Sequence, residues 1–477
     1  MEMDSRHRIG ERFLSSVPSL VWPAIPGGKG ALLAMLLGQF EESQWWSRDE
    51  IETRQLAQLK AVLSHAHCHS RFFAERLNAP SIDRTRSLRE CLDLLPILSR
   101  SDLQNHRGEI DCVHYPNEHG EITIGKSTGS TGEPVVVRRT ALNGLIWMAM
   151  TLREHLWQRR DFGAKLAVIR ANLADSEELR GGISAGNWGT PVNLLFSSGP
   201  LFGLSLQTDV ARQVDWLRGI EPDYLLTYPS NLSALLDVAE ADSRRRAGLS
   251  RLRQARTIGE TVSDALRERC RAVLDVGIAD IYSSQEVGVI ALQCPQEHGY
   301  HVMAEGVIVE ILDDEGRPCA PGDVGRVVVT DLHNFATPLI RYDLRDLAEA
   351  GTPCPCGRGL PRIKRILGRH RNLVRLPDGR RFWPLTGAYS YRNIAPVRQY
   401  QVIQRSLERA TLRLCVERPL TTGEEAALAR LLGENLGHPF AVDFEYFTDD
   451  IPRGPGGKFE DFICQVPEAD GSRSHPD

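Results

Sequence analysis

The chain has 477 residues, 42% hydrophobic and 25% charged, an ordinary globular mix that excludes wholesale disorder. Its 57 Lys and Arg against 62 Asp and Glu leave a net charge of −5, which argues against a dedicated binder of nucleic acid or anionic membrane. At ~150 residues per domain the length suggests about three units, and no apolar run approaches the ~20 residues that cross a bilayer.

The Pro- and Gly-rich start is expected to wrap over the surface, with Ala31 to Leu37 as a buried helix rather than an export signal. Ile51, Leu56, Leu59, Val62 and Leu63 predict a helix within Ser47 to Leu77. A β-like run over Glu121 to Ile124 and a helix over Leu142 to Leu156 come next. Short apolar runs at Leu166–Ile169, Val192–Phe196, Tyr224–Thr227 and Gly277–Tyr282 read as strands. Helical stretches at Val210–Gly219, Asn231–Ala241 and Val262–Leu274 separate several of them, the βαβ signature of a mostly parallel sheet. From His301 to Thr330 the pattern changes to hairpins, with turns at Asp313–Gly316 and Pro321–Asp323. Beyond Gly368 come strands at Tyr400–Gln404 and Thr411–Val416, a helix at Thr422–Leu436 and a strand at Ala441–Phe447. The predicted fold class is therefore α/β. A large, multi-subdomain N-terminal portion (1–367) is followed by a small, mobile α+β lid (368–477).

The loop Ser127-Thr128-Gly129-Ser130-Thr131-Gly132-Glu133-Pro134 follows the first β-like run. Its glycines permit tight turns, and its hydroxyls and N–H groups can surround a phosphate. No Gly-Lys-Ser/Thr follows, so it is not a Walker A loop. Four later segments accompany it: Tyr282-Ser283-Ser284-Gln285-Glu286, Pro338 to Asp346, Gly368-Arg369, and Pro452-Arg453-Gly454-Pro455-Gly456-Gly457-Lys458.

In this order, the set resembles the adenylate-forming superfamily of acyl-CoA synthetases, adenylation domains and luciferases. The likeness is greatest to its phenylacetate-CoA ligase and coenzyme F390 synthetase-like branch. The resemblance implies an AMP-forming ligase that activates a carboxylic acid with Mg-ATP and passes the acyl group to an acceptor, with coenzyme A the acceptor the resemblance favours. Capture by an amine to give an amide stays open.

By the same resemblance, Ser127, Thr128, Gly129, Ser130, Thr131 and Gly132 hold phosphate. Tyr282 stacks on adenine, Glu286 meets Mg²⁺ and Asp346 grips the ribose hydroxyls. Arg369 opens the hinge, and Lys458 on the lid supplies a catalytic cation. The acid pocket would draw on Gly186–Gly199, Tyr228, Gly259-Glu260 and Tyr282, with Trp188 and Phe196 either lining it or belonging to the core. The chemistry fits: one anion attacking another needs neutralisation and alignment more than acid–base catalysis. The chain departs from the family pattern at Val135, where many members have Lys, at Arg371, where many have Asp, and over Tyr342–Asp346.

Of the ten cysteines, Cys294, Cys354 and Cys356 stand near His301 and His298 in a pattern that suits structural zinc, with His301 the better fourth ligand. The remaining cysteines are scattered, so reduced thiols and a cytoplasmic location are expected. His65, His67, Cys68 and His69 share a helix on which neighbours face different ways, and they are rejected as a metal site. The basic stretch Arg358–Arg381 raises nucleic-acid binding as a competing function, weakened by poor aromatic interleaving. The expected partners are therefore a small carboxylic acid and an acyl acceptor, with no nucleic acid and no membrane span. The oligomeric state is open, a homodimer among the options.

Overall fold

The computed structural model describes residues 13–126, 135–171, 173, 181–369, 374–382, 391, 393–448, 450–453 and 459–466, with Arg369, Arg381 and Phe382 by their backbone alone. The chain divides into two compact units, Met1–Ile366 and Leu367–Asp477.

In the first unit, β1 (Ile122–Lys126) and β2 (Val136–Thr140) form an antiparallel ribbon on either side of residues 127–134. The other strands are β3 (Leu166–Arg170), β4 (Ile183–Ala185), β5 (Leu201–Ser205), β6 (Tyr224–Thr227), β7 (Gln254–Ile258), β8 (Gly277–Ser284), β9 (Gly288–Gln293), β10 (Tyr300–Val302), β11 (Val307–Leu312), β12 (Val324–Asp331), β13 (Tyr342–Ala350) and β14 (Arg362–Arg369). They make one twelve-stranded sheet in the order β11-β12-β13-β14-β10-β9-β8-β7-β6-β3-β5-β4. Strands β5, β3, β6, β7 and β8 run parallel, whereas β8–β9–β10 and β11–β12–β13 are antiparallel.

The parallel part is covered on both faces, as βαβ connections require. Helices Val210–Ile220, Pro229–Ala241 and Asp264–Leu274 bury Leu217, Leu232, Leu236 and Cys270 against Ala167, Leu225 and Ala255. On the other face, helices Lys29–Ser43 and Ala141–Trp157 pack Leu33, Leu37, Leu145 and Leu152 with Leu166 and Ile281. The buried helix expected at Ala31–Leu37 is thus one of these covers. Helix Arg48–His69 caps itself with a Ser47–Glu50 capping box and ends at Ser70, whose hydroxyl caps the next helix, Arg71–Arg76. The single stretch expected over Ser47–Leu77 is therefore two helices.

One strand was misplaced. Val192–Phe196 is no strand: Val192–Leu194 is a single 3₁₀ turn after Pro191. The strand of this region is β5, whose Gly203 hides it in the sequence. Trp188 and Phe196, 5% and 2% exposed, pack with Phe162 and belong to the core. Indole Nε1 of Trp188 donates to the Ala164 carbonyl at 2.9 Å.

In the second unit, β15 (Val374–Arg375) pairs with β16 (Arg381–Phe382). Strands β17 (Val397–Gln404), β18 (Arg409–Val416), β19 (Ala441–Phe447) and β20 (Phe462–Cys464) form a sheet of order β19-β18-β17-β20. Helix Thr422–Leu436, opened by a Thr421–Glu424 capping box and closed by left-handed Gly437, buries Leu428, Leu432 and Leu436 against Leu412 and Leu414. The short β20, parallel to β17, is absent from the sequence expectation. Among the described residues, no helix is long and apolar enough to cross a membrane.

Candidate active site

In open α/β sheets, ligands collect at the carboxyl ends of the parallel strands. Here Tyr228 follows β6, Gly259-Glu260 follow β7, and β8 ends in the Tyr282–Ser284 segment. Gly259 has φ +80, the left-handed backbone that a glycine takes without strain. The Glu260 carboxylate accepts the Ser230 N–H at 2.8 Å and so ties the β7 turn to the start of helix Pro229–Ala241.

Two residues expected at the nucleotide meet directly. Tyr282, 7% exposed, donates its hydroxyl proton to Asp346 Oδ2 at 2.7 Å. They lie 64 positions apart, on β8 and β13. The Asp346 segment is held by Arg341, whose φ of 48 is unusual for a side-chain-bearing residue. Its guanidinium grips both oxygens of buried Glu310 at 2.8 and 2.9 Å and donates to the Leu95 carbonyl at 2.6 Å. Within one motif, Arg341 is thus a structural clamp.

Glu286 is 8% exposed, and its carboxylate faces Nη1 of Arg100 at 3.4 Å. Arg100 opens helix Arg100–Asn105, and the segment before it is anchored to β13: Leu98 N–H donates to the Arg341 carbonyl and Asp343 N–H to the Leu98 carbonyl, both at 2.9 Å. This contact has no signal in the sequence, because the pairing of Leu98 with Arg341 that delivers Arg100 spans more than half the chain. A second guanidinium, Arg139 on β2, lies over the Trp147 ring at 5.0 Å and donates to the Gln285 carbonyl. Burial lowers its pKa, while Asp331 and Glu286 oppose that shift.

The loop Ser127–Pro134, covering Ser127, Thr128, Gly129, Ser130, Thr131 and Gly132, lies outside the described residues, as do Arg371, residues 454–457 and Lys458. Arg369 ends β14, and its side chain likewise lies outside them.

A second constellation is complete. Cys294 follows β9, His301 sits in β10, and Cys354 and Cys356 occupy the loop before β14, which pairs with β10. Their ligand atoms all lie within 4.8 Å of one another. Sγ of Cys294 and Sγ of Cys354 are 3.8 Å apart, and Sγ of Cys356 and Nε2 of His301 are 3.3 Å apart. A tetrahedron with metal–sulfur bonds of ~2.3 Å has sulfur–sulfur edges of ~3.8 Å, so the donor set fits zinc in chemistry and in size. His298, the alternative, is exposed and outside the set. Burial, with Arg358 and Arg362 nearby, drives His301 down to about 4, which keeps its ring neutral at pH 7. Burial pushes the Cys354 thiol up to about 12. For Cys356 burial also disfavours the thiolate, but hydrogen bonds from the Arg358 backbone and guanidinium outweigh it and hold the pKa below the ordinary value.

The helix histidines converge on no such geometry among the described residues: His65 Nε2 donates to the Phe335 carbonyl at 3.0 Å, and its ring packs on His69. In the basic stretch, Arg362 pairs with Glu297, Lys364 and Arg365 share Glu349, and Arg380 pairs with Asp378. Much of that charge is thus answered within the fold, which disfavours a nucleic-acid surface.

No protein-family model matches the chain. It is 26% identical over 447 residues to phenylacetate-coenzyme A ligase of Thermus thermophilus, covering 86% of this chain and 96% of that one. Phenylacetate-coenzyme A ligase of Escherichia coli is 27% identical over 339 residues, 69% of this chain and 73% of its own. A solved 2-hydroxyisobutyryl-CoA ligase, crystallised with an acyl-AMP in its post-adenylation state, superposes with a TM-score of 0.69 at 18% identity over 89% of this chain and 91% of its own. The chain is thus similar over most of its length to phenylacetate-coenzyme A ligases and shares the fold of the solved 2-hydroxyisobutyryl-CoA ligase.

Proposed function

We propose that the protein is an AMP-forming acid ligase: it joins a carboxylic acid to the α-phosphate of ATP, releases pyrophosphate, and transfers the acyl group of the adenylate to coenzyme A. The observation that carries this reading is the meeting of Tyr282 with Asp346, beside Glu286, at the carboxyl end of β8, in a chain related over most of its length to phenylacetate-coenzyme A ligases. A carboxylate at Asp346 suits the two ribose hydroxyls, because charge-assisted hydrogen bonds are the strong ones. Glu286 offers a hard oxygen donor of the kind Mg²⁺ takes beside nucleotide phosphates.

The hydroxyls and N–H groups of Ser127–Gly132 bind the triphosphate, and Lys458 supplies positive charge where the acid oxygen and α-phosphate meet. Arg369 opens the hinge on which the second unit turns. Cys294, His301, Cys354 and Cys356 hold a structural zinc, whose four protein donors leave no position for substrate. Pyrophosphate exchange with a panel of aryl, fatty and amino acids tests the reading. Acid-dependent exchange followed by thioester formation with coenzyme A is expected; hydroxamate or amide formation with coenzyme A inert would shift the acceptor to an amine.

A further inference from the structure

We infer that the cavity between helix Ala141–Trp157 and β9 receives the far end of the acid, and that Asn143 selects acids carrying a hydrogen-bond donor there, a hydroxyl or an amine. This rests on the ligase reading and narrows its substrate class.

The cavity has apolar walls and one polar end. Trp147 and Met150 line it from the helix, Val289 from β9 and Val307 from β11, while Asn143, Asp331 and His333 close the polar end. Its volume of about 20 Å³ exceeds the ~10–15 Å³ that one water needs, so a single hydroxyl or amine fits and a ring does not.

Asn143 is 6% exposed. Its Nδ2 donates to Asp331 Oδ2 at 3.1 Å, which fixes the orientation of the amide and leaves Oδ1 as a free acceptor. Among the described residues, nothing donates to that oxygen. The neighbouring polar groups are answered. Asp331 Oδ1 accepts the backbone N–H groups of His333 and Asn334 at 2.9 and 3.2 Å, and His333 Nε2 donates to the Glu305 carbonyl at 2.7 Å. One buried acceptor therefore remains open in a cavity the size of one donor group, and leaving such an acceptor unpaired is costly.

The cavity also adjoins the nucleotide carboxylates. Val287, another wall residue, directly follows Glu286 in the chain. Arg139 lies over the Trp147 ring at 5.0 Å, and it stands near enough to Asp331 and Glu286 for both carboxylates to favour its charged form. Trp147 is held against the backbone of Gly288, where a Cβ would stand 3.2 Å from the indole. An acid whose carboxylate lies beside Glu286 can thus place its other end against these walls, with its donor on Asn143 Oδ1.

Matched acids test this by pyrophosphate exchange. In each set one terminal group changes among methyl, hydroxyl and amine: para-substituted benzoates, para-substituted phenylacetates and short straight-chain acids. For the best-used set, the wild-type kcat/KM should favour a donor-bearing member over its methyl isostere by about ten- to a hundredfold, the loss expected when a buried acceptor goes unpaired. The better of hydroxyl and amine identifies the donor. Asn143→Leu should bring the ratio within about twofold or reverse it, whereas a merely structural Asn143 would leave it unchanged. Equal use of the methyl and donor-bearing members by the wild type, or an unchanged ratio in Asn143→Leu, would overturn the inference and leave the ligase reading intact. Exchange with none of the donor-bearing acids, in a wild type that binds Mg-ATP by calorimetry, would also overturn it. Absence of Mg-ATP binding would overturn the ligase reading itself. If Asn143→Leu lacks a native thermal transition, the wild-type ratios decide.

Discussion

The Cys/His cluster and the Glu286 site lie on the same twelve-stranded sheet, yet they leave their polar groups in opposite conditions. In the cluster, three sulfurs and one neutral ring nitrogen face one another at metal-ligand spacing, and the Arg358 guanidinium donates to Cys356 from outside at 3.6 Å. Everything such a set can bind is enclosed. At the Glu286 site, the carboxylate faces the Arg100 guanidinium at 3.4 Å, and Tyr282 donates its hydroxyl proton to one oxygen of Asp346. A closed set of four metal-type donors belongs to the architecture of a fold, whereas carboxylates beside the carboxyl end of a strand lie where α/β sheets collect ligands. The difference teaches which buried polar groups to assign to architecture and which to chemistry.

The largest expected effect is at Lys458. Lys458→Ala should slow acyl-adenylate formation by about 10²-fold or more, the usual cost of removing one preorganised electrostatic group. Transfer from a synthetic acyl-adenylate should survive far better, because no pyrophosphate leaves in that step. Equal losses in the two half-reactions would make Lys458 structural. Asp346→Ala should raise the apparent KM for ATP by about tenfold or more, as expected for a lost charge-assisted contact, with a smaller fall in kcat. An unchanged KM would remove Asp346 from the nucleotide site.

The cluster should respond in stability rather than in chemistry. Elemental analysis should find about one zinc per chain. Cys354→Ser should abolish it and lower the thermal midpoint by about 5 °C or more. Full metal content in the variant would refute the ligand set. Metal-free protein should also lose stability as pH falls. The folded pKa of His301, about 4, lies below its unfolded value of about 6.5, so between these limits the unfolded chain binds more protons. The stabilisation is thus complete above the unfolded value and fades as pH drops toward 4; denaturant melts across that window measure it. The smallest effect concerns Tyr282→Phe. Removing the hydroxyl that donates to Asp346 should cost only about fivefold in ATP affinity, one ordinary hydrogen bond.

The two sites also differ in how far they could be read from sequence. Cys294, His301, Cys354 and Cys356 were legible because few residue types bind zinc and they recur at short spacing. The Tyr282, Glu286 and Asp346 motifs were legible through their order along the chain, and the structure joins Tyr282 to Asp346. The contact of Arg100 with Glu286 was not, since an arginine at the start of a short helix resembles any surface arginine until Leu98 is seen paired to β13. The same distinction holds for the fold. Helices such as Thr422–Leu436 announce themselves by capping and periodicity, whereas β5 was missed and Val192–Phe196 mistaken for a strand. A short apolar run carries no periodicity to separate strand from turn.

The central claim is that ATP is cleaved between its α- and β-phosphates by a carboxylic acid. Product analysis tests it most directly: purified protein, Mg-ATP labelled at the α- and γ-phosphates, coenzyme A and the acid panel, with nucleotide and phosphate products separated. The account expects acid-dependent AMP and pyrophosphate in equal amounts, with acyl-coenzyme A formed alongside. Acid-dependent ADP and inorganic phosphate would contradict it.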